Sequence, residues 1–199
     1  LGGPYDGLVS FGMSMDLMAM RSFYEARLDA LDADPYRCEL LAELQQAAEA
    51  GRQALNQPLP PVVYGLKGFL AVVEGFEGMN LAANIPPSSI DMQFLLATEN
   101  AEALLAMGAM FSPDIASLGL QAGGEPVRLD LPPIAAMGQV VYAALADEGI
   151  ALSVGEGMQD GLDTMLQAPA GDTSTFLAVD MDAARYYAFI NEAIAADAT

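Results

Sequence analysis

Four methionines, Met13, Met15, Met18 and Met20, crowd a short stretch near the start of the chain. Soft thioethers at such density offer two chemistries, coordination of Cu(I) or adaptable apolar contact. The sequence separates them with its own internal comparison, because the stretch recurs at an offset of 82 residues. Met13 then corresponds to Leu95 and Leu177, and Met15 to Ala97 and Val179, so both read as ordinary strand packing. Met18 corresponds to Asn100 and Asp182, and Met20 to Glu102 and Ala184. These two are apolar where the sister positions are mostly polar, and they are the expected ligand or partner surface.

Other chemistry is thinly supported. Histidine is absent, which removes the usual general base, the Ser-His and Cys-His nucleophile systems and most transition-metal sites. The fragment Gly12-Met13-Ser14 lacks the second glycine of a nucleophile elbow. Gly155-Glu156-Gly157 with Gly161 has the look of a dinucleotide cradle, but Glu156 would set a negative charge beside the phosphates, and a turn is the better account. Acidic groups gather at Asp29, Asp32, Asp34 and Glu39 and at Asp180 and Asp182 without the spacing of a calcium loop, so they read as caps and solvated turns. Cys38 is the single cysteine. It excludes an intrachain disulfide and a cysteine pair to hold zinc or an iron–sulfur cluster, and its place in an expected helix makes burial the default. No cofactor is expected.

The elements that must hold these residues repeat. Val9, Phe11, Met13 and Met15 alternate with Ser10, Gly12, Ser14 and Asp16, the period of a half-buried strand, before the spacing turns helical. Ile90 to Ala97 and Thr175 to Val179 make the same switch. The expected caps are Asp16, Thr98 and Asp180, with alanine three residues later at 19, 101 and 183 and an arginine five later in the first and third units, Arg21 and Arg185. Val62-Val63-Tyr64 returns as Val140-Val141-Tyr142, and Glu77-Gly78-Met79-Asn80 as Glu156-Gly157-Met158-Gln159.

Each unit of about 80 residues thus reads as a strand, a helix, a variable middle and a hairpin. The first middle is a long helix from about Pro35 to Gln57. The second carries a strand at Val127 to Leu131, a hairpin turning at Asp147-Glu148-Gly149 and a short helix near Gln159 to Gln167. The units are 1–87, 88–170 and, for the strand and helix that begin a third and complete the second, 171–199. Short turns pair strands antiparallel. The fold class expected is α+β, a largely antiparallel sheet with helices on one face.

Composition narrows the partners. Of 199 residues, 53% are hydrophobic, so the chain can build a sizeable core. Against 27 acidic side chains stand 7 basic ones, of which Lys67 is the only lysine. A net charge of −20 repels phosphate backbones and anionic headgroups, so nucleic acid is not an expected partner. The longest uncharged run, Leu131 to Ala146, carries Pro132, Pro133 and Gly138 and is too short to span a bilayer. Opening on Leu1-Gly2-Gly3-Pro4, the sequence is expected to be mature or truncated material.

The pattern of Phe176 to Ala184 and Val140 to Gly155, an alternating strand, a cap with alanine three later and a hairpin, resembles repeat-built bacterial cell-envelope proteins of unassigned function. That resemblance implies a periplasmic or lipid-anchored location. The expected function is non-catalytic binding of an apolar ligand, a lipid or a protein partner. The alternatives are a hydrolase that uses Asp or Glu with a divalent metal, and a structural module of a larger assembly.

Overall fold

The computed structural model describes residues 7–78, 87–136, 138–168 and 176–195. In chain order these form β1 (Val9–Ser14), α1 (Leu17–Ala33), α2 (Ala42–Leu55), the single turn α3 (Pro61–Tyr64), β2 (Leu66–Glu77) and β3 (Ser89–Thr98). There follow α4 (Ala101–Phe111), α5 (Pro113–Ala116), β4 (Val127–Leu129), α6 (Pro132–Ala135), β5 (Val141–Ala146), β6 (Gly149–Val154), α7 (Leu162–Leu166), β7 (Leu177–Met181) and α8 (Ala183–Ala195). The seven strands make one sheet in the order β4-β5-β6-β3-β2-β1-β7, and every neighbouring pair is antiparallel. The chain is therefore α+β. Strands β2 and β3, which the sequence assigns to different units, pair along nearly their whole length. The expected boundary at 170/171 lies outside the described residues.

Register assigns every strand residue to one of two faces. Leu70, Leu95, Ala144 and Ala151 share the first face, where Leu162 and Met165 of α7 close over them to form the buried core. Leu145 points to the second face, where it meets residues of α4 and α5 around a cavity of about 270 Å³. Gly108 permits the close fit between those two helices, since a Cβ there would come within 3.2 Å of Ile115 Cδ1. Helices thus flank both faces. The expectation of one helical face fails because α7, five residues long, is enough to cover the small side chains of β5 and β6.

Three strand-to-helix junctions, β1–α1, β3–α4 and β7–α8, are capped by a side chain. Asp16 Oδ1 accepts from the Ala19 amide at 2.8 Å, Asn100 Oδ1 from Ala103 at 2.8 Å and Asp182 Oδ1 from Arg185 at 3.0 Å. Two of the three caps fall two residues beyond the expected Thr98 and Asp180. Those residues still belong to strands, with the Thr98 amide donating to the Glu148 carbonyl, so the strand extends until a second capping side chain is reached. Val62-Val63-Tyr64 forms a helical turn, whereas its expected counterpart Val141-Tyr142 lies in β5. Pro61 explains the difference, because its fixed φ suits the first position of a helix. Gly78 and Gly157, at φ +66° and +80°, adopt the left-handed backbone in both expected repeats, while Met79 and Asn80 lie outside the described residues. The long helix expected from Pro35 shortens to α2 behind a 3₁₀ turn at Glu39–Leu41, and Cys38 is exposed rather than buried.

Candidate functional site: an open apolar sheet face

Strand β1 alternates as expected but points the other way. Ser10 and Ser14 are buried, opposite Val72 and Gly68 on the core side, while Phe11 is 36% exposed on the second face. The small side chains sink between taller neighbours such as Leu70, which is paired with Gly12. The large apolar set is left on the surface.

Register carries that surface across several strands. Phe11 pairs with Ala71 and Val179, Met13 with Phe69 and Leu177, and Val9 with Val73 and Met181. Further in, Phe94, Leu96 and Met92 continue the row on β3, and Leu152, Ile150 and Val154 on β6. The rings of Phe11, Phe69 and Phe94 run across three strands with centroids 5.6 and 5.9 Å apart, the separation at which aromatic pairs attract. Exposure grows toward the edge, from half-buried at Phe94 to 50% at Leu177 and 63% at Val179.

The helices that follow β1 and β7 do not close this face. None of the residues of α1 is buried, and its main contact is α2. Arg52 of α2 lies between Asp32 at 2.8 Å and Asp29 at 3.9 Å, so those two acidic residues serve an interhelical ion pair. Helix α8 reaches the sheet at its far end, where Phe189 meets Phe76 at 5.7 Å and the Arg185 guanidinium donates to the Glu74 carbonyl.

Met18 and Met20, the residues singled out by sequence, separate in space. They lie two positions apart, about 200° around a helix of roughly 3.6 residues per turn. Met20 lines an apolar cavity of about 210 Å³ between α1 and α2, with Leu17, Tyr24, Leu55, Leu59 and Tyr64. Arg21 edges the same cavity, donating to Glu25 at 2.9 Å and to the Tyr64 hydroxyl at 3.1 Å. Those partners, Glu25 foremost, raise the guanidinium pKa above its ordinary value. Met18 is 55% exposed and lies outside the cavity. The observed caps also realign Met20 with Leu104 and Tyr186, apolar or aromatic like itself.

Carboxylates gather in one cleft of about 280 Å³, lined by Glu77, Asp91 and Glu156 with Ser89 and Gln139. Left-handed Gly155, at φ +112°, presses against Asp91, and any side chain there would collide with the carboxylate. Among the described residues no three acidic or cysteine side chains are placed to hold a metal ion. No helix among them is long and apolar enough to cross a membrane.

Sequence reasoning missed Phe69, because β2 was expected to begin at Val62-Val63-Tyr64. It places Phe11 and Phe94 on strands and gives neither a role in binding. The available signal was the alternation of serine and glycine with phenylalanine and methionine on β1, which marks two unlike faces without saying which turns inward. No family model, no curated protein and no solved structure matches the chain.

Proposed function

We propose that this is a non-catalytic bacterial envelope protein that seats an apolar ligand, a lipid or a protein partner on the open sheet face. The observation that carries the reading is the inversion on β1, which buries Ser10 and Ser14 and leaves Phe11 exposed beside Val179 of β7. Five strands, from β6 to β7, present apolar side chains on this side, a width of about 19 Å at roughly 4.8 Å per strand spacing. Large apolar patches are uncommon on soluble monomers and mark places where something binds. Location in the periplasm or cell envelope rests on the resemblance in strand and hairpin pattern. A construction from repeats of about 80 residues is part of the proposal, and the matching caps Asp16, Asn100 and Asp182 support it.

The test uses the neutral dye N-phenylnaphthylamine, chosen because a net charge of −20 repels anionic probes. Fluorescence should rise on addition of the protein and fall to background for Phe69→Ser combined with Phe94→Ser. Met20→Ser should leave it unchanged. Loss of the signal in Met20→Ser alone would move the site to the cavity between α1 and α2.

The second reading is a hydrolase working through carboxylates and a divalent metal; its carboxylates would be Glu77, Asp91 and Glu156, which line one cleft without being grouped to hold a metal ion as they stand. Titration with Mn²⁺ decides it: heat that disappears in Glu77→Gln plus Glu156→Gln would support that reading, and absence of heat in the parent would remove it.

A further inference from the structure

The open face ends at a strand whose backbone is also unpaired. Two bonds fix the phase of β7 against β1: the Ser14 amide donates to the Phe176 carbonyl at 3.0 Å, and the Asp182 amide to the Leu8 carbonyl at 3.2 Å. Amide and carbonyl groups of alternate residues in an antiparallel strand point to opposite edges. The even-numbered residues of β7 therefore bond to β1, and Leu177, Val179 and Met181 turn theirs outward. Asp180 Oδ1 accepts from the Met181 amide at 3.0 Å and closes that donor. Leu177 and Val179 keep theirs, and among the described residues no strand pairs with this side of β7.

An edge of this kind is a template for another strand, and proteins commonly blunt it with lysine, proline, a bulge or short length. The opposite edge is blunted by length, since β4 has three residues. Strand β7 has neither lysine nor proline, and its outward-facing residues are also those whose apolar side chains extend the open face. Its other face carries Ala178 and exposed Asp180, with Asp182 following.

We propose that the outer edge of β7 docks one extended segment of a partner protein, apolar on the side that continues the open face and basic on the side that meets Asp180. The proposal rests on the reading of that face as a binding surface and names its partner. Charge selects the occupant. A second copy would bring together two chains of net charge −20 and set two Asp180 carboxylates on one face of the joint sheet, whereas a basic strand complements both.

A fluorescent peptide of about eight residues, alternating Val and Lys, is the probe. Binding to the full chain is read by anisotropy. Val179→Pro deletes an outward donor and no β1 bond, so the fold should persist, with unchanged Tm, while affinity falls about tenfold or more. Asp180→Asn should weaken binding less, and an alternating Val and Glu peptide should not bind. Independently of any variant, methylating one alternate set of peptide amides should abolish binding while methylating the other set leaves it, because only one set faces β7. Failure of the Val and Lys peptide to bind, equal affinity for Val179→Pro, or indifference to both methylation sets would overturn the proposal. So would a parent dimer that Val179→Pro converts to monomer, which would make a second copy the occupant. Dye binding lost in the Phe69 and Phe94 variant, with peptide binding absent, would discard the docking strand and keep the face; absence of dye binding in the parent would discard the face itself.

Discussion

Strand β5 is closed on both faces, whereas the strands at the β1–β7 end leave an apolar face open. Ala143 and Ala151 are fully buried, while Val179 is 63% exposed. Helices α4 and α1 each follow a strand and a side-chain cap. The difference lies in what the helix can bury. Helix α4 carries one charged residue, Glu102, so it can lie against Leu145 with α5. Helix α1 carries Arg21, Glu25, Arg27, Asp29 and Asp32, and it keeps to α2 and solvent. A cap and an alternating strand specify an element without specifying where it docks.

The sharpest way to test the contrast is to damage the closed end. Leu162 is fully buried between α7 and the sheet, and Leu162→Ala should cost about 2–5 kcal/mol through lost burial and the cavity left behind, read as a lower urea midpoint. A stability change below about 0.5 kcal/mol, the level of ordinary surface sites, would show that the closed end is loosely packed and would break the comparison. Intermediate effects belong to the junctions common to both ends. Asp16→Ala and Asn100→Ala each remove a bond to a first-turn amide and should cost about 1 kcal/mol. Equal losses would mean that the caps act locally whatever their helix covers. The smallest effect is expected at the open end, where Val179→Ser should shift stability by less than about 0.5 kcal/mol while reducing dye or peptide binding. A large loss of stability there would mean that Val179 is part of the folding core and not a docking surface.

How much could be read in advance differs by level. Alternation found β1, β3 and β7, because a strand with one buried face imposes a period of two. The hairpin turning after Ala146 was legible in Asp147-Glu148-Gly149, and Ala146 does pair with Gly149. Cap positions were legible only to within two residues, since Thr98 and Asn100, or Asp180 and Asp182, are both capable acceptors and the strand's end decides between them. The methionine surface was less legible. Met18 and Met20 stood out in an alignment that assumed the earlier caps, and helix geometry puts one on the surface and the other in a cavity.

Composition and period by themselves determined that the chain folds, that it is α+β and that its strands pair antiparallel. These follow from local sterics and hydrogen-bond geometry, neither of which requires knowing what packs on what. Tertiary structure alone decided that the serine side of β1 faces inward and the phenylalanine side outward. Which face of an amphipathic strand becomes the core depends on what packs against the sheet, and α7, which closes over the core side, begins at Leu162, far along the chain from β1.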